Sequence, residues 1–362
     1  MAGQIAARRL SAQRLIGEPF RSPVDAVRWM GAVQSQDYTG GKWALGLRSG
    51  ATGAALDRLF DDGAILRTHV LRPTWHFVLP EDVRWLLDLT GPRIRAGVAG
   101  RYRDLELDDR VVTRALAAFA AALRDGRHLT RVELGEVLRA ARISPAGQRL
   151  PHLIMGAELE GLIVSGPRRG KQFTYALLEE RVSKARTMDR KEAVAELTRR
   201  YFRSHGPAQL QDFAWWSGMT IAEGRRGVEI AGSALERLDV GGKSYWHDPS
   251  AAPEVDSRAV AHLLPNFDEY TVGYRDRSAI IDAGRPMRLE IFSLSSLLSS
   301  SVIVAGIVRG AWRRVPSKTG VRIDVRVMDR LTAGEVAAVE TAGRQLGRHL
   351  EEQVELVWIE AA

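Results

Sequence analysis

Apolar residues recur along this chain at helical spacing in three successive blocks, and each block closes with two short strand-like runs. The middle block is the clearest. Residues 110 to 124 carry 3.6-residue apolar spacing, Thr130 and Glu133 have the spacing of a capping box for a second helix to about 141, and a third helix spans about 147 to 161. LIVSGP and QFTYALL then read as strands joined by the basic tip Arg168, Arg169, Gly170, Lys171. Helix, helix, helix, strand, basic loop, strand is the order of a winged helix-turn-helix domain.

The third block begins at Lys191, passes through RSHGPAQLQDFAWWSG, and restarts at Thr220, whose spacing to Glu223 gives another capping box. It ends in ALERLDV, the turn pair Gly241-Gly242, and KSYWH, a hairpin signal. In the first block Ser22-Pro23 opens the helix DAVRWMGAVQ, Thr52 opens GAALDRLFDD, and ILRTHVL and TWHFVL supply the strands. Beyond about 250 the pattern changes. LLPNFDEYTVGYRDR and a serine-dense stretch from 293 to 301, read as a mobile loop, precede strands near 302 to 313 and 321 to 327. Thr332 and Glu335 then cap a terminal helix to about 350, and VELVWI closes the chain as a strand.

The expected fold is therefore α+β, mainly helical, with three tandem winged helix-turn-helix units and a mixed C-terminal β-containing module. The predicted segments are 1–90, 91–185, 186–250 and 251–362. A chain of 362 residues is too long for one core of ordinary size. No run approaches the roughly 20 apolar residues of a membrane helix, and MAGQIAARRL lacks the apolar core of a signal peptide, so the expected location is cytoplasmic and nucleoid-associated. The chain has no cysteine, which excludes disulfides, thiolate metal sites and thiol nucleophiles, and its eight histidines form no helical His-x-x-x-His pair. No metal and no cofactor are expected.

Lys plus Arg exceeds Asp plus Glu by 52 to 44, a net charge of +8 that favours an anionic partner. Only 6 of those cations are lysine, a ratio that a GC-rich genome also produces. Local runs say more than the total. Arg93, Arg95, Arg101, Tyr102 and Arg103 lie among glycines, as a segment tracking a phosphate backbone or a solvated connector would. The expected recognition helices are poor base readers: the first displays Asp57, Asp61 and Asp62, and the second Glu158 and Glu160 beside Arg149 and His152. Scaffolding, or reading of backbone and shape, suits them better than reading of sequence.

Two constellations carry chemistry. The first is AVQSQDY, which sets Gln34 and Gln36 directly before Asp37. Residues two apart on an α-helix point about 200° from each other, so these amides share a pocket only if the helix ends or bends near Gln36, for which Gly40 and Gly41 offer a nearby stop. The plainer alternative is one glutamine satisfying a buried backbone group and the other solvated. The second constellation is Arg67, His69, Arg72, Trp75 and His76. If Arg72-Pro73 forms the turn, His69 and His76 become cross-strand neighbours on a basic, aromatic surface, or else a satisfied histidine pair against a core tryptophan. The wing Arg168, Arg169, Lys171 is a phosphate contact or a solvated tip, and Trp215-Trp216 reads as packing.

Together AVQSQDYTGGKWALGLR, ILRTHVLRPTWHFVLPED and LLPNFDEYTVGYRDR resemble a bacterial winged-helix DNA glycosylase family that includes an enzyme unhooking azinomycin interstrand crosslinks. The resemblance covers nearly the whole chain. It implies three winged-helix units in a C-shape around a DNA channel, and hydrolysis of the N-glycosidic bond of N7-alkylated purines. Its Gln-x-Gln motif falls on Gln34, Ser35 and Gln36, with Asp37 as an adjacent carboxylate. An N7-alkylated base is already cationic and leaves easily, so what remains is to position water against an oxocarbenium-like sugar. An amide does this by accepting one hydrogen bond and donating another. No lysine adjoins the pair for a Schiff-base lyase step. The expectation is thus a monomeric, monofunctional glycosylase acting on damaged double-stranded DNA. The alternative is a non-enzymatic winged-helix DNA-binding protein, a regulator or a catalytically lapsed relative.

Overall fold

The computed structural model describes residues 2–251, 260–281, 300–317 and 320–359 of a mixed α+β fold. They fall into two compact units, one holding 1–56, 194–216 and 220–362, the other 57–193 and 217–219. No helix among the described residues is long and apolar enough to cross a membrane. The first block comprises α1 (Ala2–Ala12), α2 (Pro23–Met30), β1 (Val33–Gln34), α3 (Tyr38–Ser49), α4 (Gly53–Asp61) and the strands β2 (Leu66–His69) and β3 (Trp75–Val78). A helix of 22 residues, α5 (Val83–Asp104), follows.

The middle block contains α6 (Asp109–Leu123), β4 (Leu129–Thr130), α7 (Arg131–Ala140), α8 (Arg149–Leu159), β5 (Ile163–Ser165), β6 (Thr174–Leu177) and the short α9 (Leu178–Arg181). Its sheet runs β4-β6-β5, with the second hairpin strand returning to pair with the strand that precedes α7. Phe119, Leu123, Leu134, Leu138, Leu153 and Ile163 form the core beneath it. Phe119 and Leu123 lie in the run from 110 to 124 that helical spacing marked, because a stripe repeating every 3.6 residues faces one side of a helix.

The third block repeats the order with α10 (Arg190–His205), α11 (Leu210–Ser217), α12 (Ile221–Ala231), β7 (Glu236–Val240) and β8 (Lys243–His247). A bridge between Ala208 and Trp246 stands where the middle block has β4. The C-terminal module supplies β9 (Ala261–Leu264), α13 (Glu269–Val272), β10 (Ser301–Val304), β11 (Ile307–Ser317), β12 (Gly320–Val327), α14 (Ala333–Leu350) and β13 (Val354–Ile359). Its sheet order is β13-β12-β11-β10-β9. Neighbours are antiparallel except β12 and β13, whose parallel pairing follows from the crossover through α14. Leu263, Val302, Ile323 and Val325 of the sheet share a core with Leu10, Trp43 and Leu47 and with Val339 and Leu346 of α14.

The expected capping boxes at Thr130/Glu133, Thr220/Glu223 and Thr332/Glu335 all form, each side chain bonding the partner's backbone N–H. Other expectations need correction. The helix opened by Ser22 stops at Met30 and does not run on to Gln34, because Gly31 turns the chain at φ +82° and its N–H closes on the Val27 carbonyl. Gly40 and Gly41 lie in the first turn of α3, a helix absent from the expected pattern. The basic run from Arg93 to Arg103 is the second half of α5 and not a connector. The serine-dense stretch lies outside the described residues up to 299, while Ser301 opens β10.

Candidate active site

Between the end of α2 and the start of α3 the chain forms β1 at Val33–Gln34 and bends at Gln36 and Asp37, and this segment carries the Gln-x-Gln motif. Asp37 is the N-cap of α3, its carboxylate accepting the Gly40 N–H at 3.1 Å, so the residue expected to lend base strength is engaged in starting a helix. Gln34 is 7% exposed. Its backbone N–H donates to Glu269 Oε1 at 2.8 Å, and its side-chain Oε1 is buried with no hydrogen-bond partner among the described residues. Ser35 is fully buried and Gln36 is exposed, so the two amides stand in different environments.

Glu269 is the first residue of α13 and is completely buried. Besides the Gln34 amide it accepts the Trp216 indole N–H at 2.9 Å and faces His205 Nε2 at 3.2 Å. Its neighbour Asp268 points elsewhere: it caps α13 and pairs with Arg48 through two bonds of 2.8 and 2.9 Å. Arg48 also donates to Gln13 Oε1 at 2.6 Å, so that charge is matched inside the core. His205 stacks on Tyr201 at 4.7 Å and lies 2.8 Å from Ser204 Oγ through Nδ1. Burial holds its pKa below the usual histidine value, outweighing the upward pull of Glu269, so the ring is neutral at pH 7 and Nε2–H donates to the carboxylate. Gly273 makes this packing possible, since a Cβ there would come within 2.7 Å of His205 Cδ2.

The first hairpin builds a different cluster. His69 pairs in register with Trp75, and Thr68 with His76, so the two histidines are one register position apart and face opposite sides of the hairpin. The expected cross-strand histidine pair does not form. His69 Nδ1 instead bonds Glu158 Oε2 from α8, and the Trp75 indole N–H reaches Glu158 Oε1 at 3.3 Å. Arg67 is buried with its guanidinium 4.4 Å from the Trp75 ring centre and 5.0 Å from that of Phe173. His76 is buried, with Nδ1 2.9 Å from the Thr74 carbonyl, and Arg72 is half-buried.

Of the other basic candidates, Arg93, Arg101, Arg103 and Lys171 are exposed. Arg95 pairs with Glu160 at 2.9 Å, and with Tyr102, Arg103, Asp108 and Val112 it lines a cavity of about 560 Å³. Arg168 is held by Asp57 at 3.1 Å and Asp61 at 3.0 Å, and Arg169 by Glu133 at 2.7 Å. Asp57 and Asp61, two of the acidic residues that looked hostile to phosphate, are thus partners of Arg168 in the loop between β5 and β6. Trp216 is core, whereas Trp215 is 45% exposed, which splits the expected packing pair. Among the described residues no group of three or more His, Asp and Glu side chains is arranged to hold a metal ion.

The sequence singles out Gln34 but points to no site role for His205 or Glu269, and gives Trp216 only a packing role. All three lie in RSHGPAQLQDFAWWSG and LLPNFDEYTVGYRDR, but their polar neighbours, Arg203 and Ser204 before His205 and Asp268 before Glu269, left no burial pattern to mark them.

No curated protein matches the chain. Among solved structures, Streptomyces sahachiroi DNA glycosylase AlkZ superposes with a TM-score of 0.79 at 21% identity, covering 99% of each chain, which shows a shared fold. The family model described as DNA glycosylase AlkZ-like matches residues 27–349, from within α2 to the last turn of α14, and so takes in the Gln34 segment and both strings that enclose Glu269 and His205. The chain belongs to the AlkZ-like DNA glycosylase family.

Proposed function

We propose that the chain is a monofunctional DNA glycosylase that hydrolyses the N-glycosidic bond of bulky N7-alkylpurine lesions, interstrand crosslinks included, on double-stranded DNA. The observation that carries this reading is the amide oxygen of Gln34, buried and without a hydrogen-bond partner among the described residues. Leaving such an acceptor unmatched costs about 1–3 kcal/mol, so the site holds in reserve a bond that a water molecule completes. A neutral amide is a weak proton acceptor, and its role is to hold the water in line with the reacting carbon. As the C1′–N9 bond breaks, its electron pair leaves with the cationic base, which becomes neutral, and the positive charge passes to the sugar. Water adds at C1′ and its proton passes to solvent.

In this reading the three helical blocks are winged-helix units, the repeated element order and the β4-β6-β5 sheet of the middle block being their support. Arg93, Arg101, Arg103 and Lys171 are free of burial and suited to phosphate contacts. The test is to incubate the protein with duplex DNA containing N7-methylguanine, then measure freed base and alkali-labile sites. Release by wild type and its loss in Gln34→Ala supports the assignment; equal release by both removes Gln34 from it. One observation favours a second reading, a DNA-binding protein without catalysis: Gln36 is exposed whereas Gln34 is buried, so the two amides of the motif differ in environment. That reading expects salt-dependent binding of the same duplex with no base released.

A further inference from the structure

We propose that Arg14 and Arg203 form a binding site for one phosphate of a DNA backbone, against the rings of Trp29 and Phe20. The inference rests on DNA as the proposed substrate and supplies a backbone contact close in the chain to Gln34. The rings are fixed before any ligand arrives. The Trp29 indole N–H donates to the Ala12 carbonyl at 2.8 Å, and the Phe20 ring lies against it with centres 5.9 Å apart. Arg14 follows α1 at φ +53°, where the Leu15 N–H closes on the Leu10 carbonyl and ends the helix. Its guanidinium stands 5.3 Å from the Trp29 ring centre and 5.8 Å from that of Phe20. Arg203, in the last turn of α10, brings a second guanidinium to 4.5 Å from Trp29.

Neither arginine has an acidic ion-pair partner among the described residues. Arg14 donates there only to the Glu18 carbonyl and Arg203 only to the Trp29 carbonyl, each at 3.5 Å, the weak end of hydrogen bonding. Each Nε is buried and makes no hydrogen bond. Neighbouring arginines differ in being matched: Arg28 pairs with Asp25, and Arg199 and Arg200 both pair with Glu196. Burial, and after it the charges of Arg199 and Arg200, draw the Arg203 pKa down to about 10 against the pull of Glu196 and Asp248. A clasp on one indole needs a single cation, and a second like charge beside it is unfavourable unless an anion joins them. Both residues are half-buried and keep part of their surface in solvent. The planar N–H fork of a guanidinium matches two phosphate oxygens, which makes a phosphate the fitting anion. Trp29 precedes Gln34 by five residues. At about 3.5 Å per residue their backbones are within about 18 Å, so a strand whose reacting sugar lies at Gln34 reaches the site within roughly five nucleotides of about 3.4 Å rise.

The test is fluorescence anisotropy with a lesion-free duplex over a series of salt concentrations, which reads binding whether or not base is released. The double variant Arg14→Gln/Arg203→Gln should weaken binding on the order of tenfold and make the slope of log affinity against log salt shallower by about 0.9, the loss of one phosphate. Arg139→Gln, whose guanidinium is paired with Glu136, should keep the wild-type slope. Should the double variant lose its cooperative thermal transition, Arg14→Gln alone decides, with binding about threefold weaker and a shallower slope. A folded variant that melts earlier yet keeps the wild-type slope overturns the proposal, because the arginines then serve only to hold Trp29. Thermal stabilisation of wild type by inorganic phosphate, absent in the variant and accompanied by an unchanged duplex slope, assigns the pair to free phosphate and overturns the backbone contact. If the slope changes as expected while wild type releases no base from an N7-methylguanine duplex, the glycosylase reading falls and the phosphate site stands.

Discussion

Two buried clusters in this molecule are made of the same three residue types. In one, Glu269 receives the indole of Trp216 and the ring of His205; in the other, Glu158 receives the indole of Trp75 and the ring of His69. A buried histidine, glutamate and tryptophan in contact are therefore not in themselves the mark of a reactive centre. What separates the two is the fourth member. The Glu158 cluster is finished by Arg67, whose guanidinium lies over Trp75 and Phe173. At Glu269 the fourth member is the backbone of Gln34, whose own side-chain oxygen is buried without a bond. One cluster is closed by charge and rings, and the other carries a buried acceptor without a hydrogen-bond partner among the described residues.

The contrast breaks most sharply at Gln34. Gln34→Ala should cut base release roughly 100- to 1,000-fold with duplex affinity retained, an effect of the size expected when a positioning group is lost. An equal loss on disturbing the Glu158 cluster in a folded protein would erase the distinction.

Acid should act next, through the unit that holds Glu269. Burial lowers the pKa of His262 from 6.5 to about 4 and also lowers that of His205, so both remain neutral in the folded protein while the unfolded chain takes up protons below about 6.5. Their contribution to stability is whole above pH 6.5 and is lost as pH falls toward the folded values; for His262 the loss amounts to about 3 kcal/mol by pH 4. Urea unfolding at a series of pH values should show it, and His262→Gln, which keeps a donor for the Leu15 carbonyl but does not titrate, should flatten the slope. An unchanged slope would exclude His262 as the source.

Glu158→Gln should cost about 2 kcal/mol, because with its oxygen accepting the Trp75 indole its amide must donate to His69 Nδ1 and so forces that ring into its other tautomer. Base release by the folded fraction should be unchanged, which a combined melt and activity assay reads directly. The smallest effect tests whether the units differ in ordinary helix chemistry. Thr130→Ala in one and Thr332→Ala in the other each remove a capping box and should each cost about 1 kcal/mol in thermal unfolding. A much larger loss on one side would mean that the cap there also supports tertiary packing.

Much of the architecture could be read along the chain. The capping boxes, the turn at Gly241-Gly242, the strands of the hairpins and the helix order of the middle block follow from residues at most a few positions apart. Where reading failed, a local signal was outweighed. DAVRWMGAVQ has helical spacing through Gln34, but Gly31 ends the helix four residues early and lets β1 form. The register of β2 on β3 could not be derived from an assumed turn at Arg72-Pro73, because a single-residue shift moves His76 to the opposite face.

By itself, then, the sequence determined where the helices opened by Thr130, Thr220 and Thr332 start, which runs pair as hairpins, and which glutamines sit in the motif, since all of these depend on short-range hydrogen bonding and periodic burial. Tertiary structure alone decided which polar groups meet. Gln34 and Glu269 are 235 residues apart, and His205 and Trp216 lie 64 and 53 residues from that glutamate. No periodicity marks such a meeting, because the matching of buried donors to acceptors is settled by how whole elements pack and by the cost of leaving any one of them unmatched.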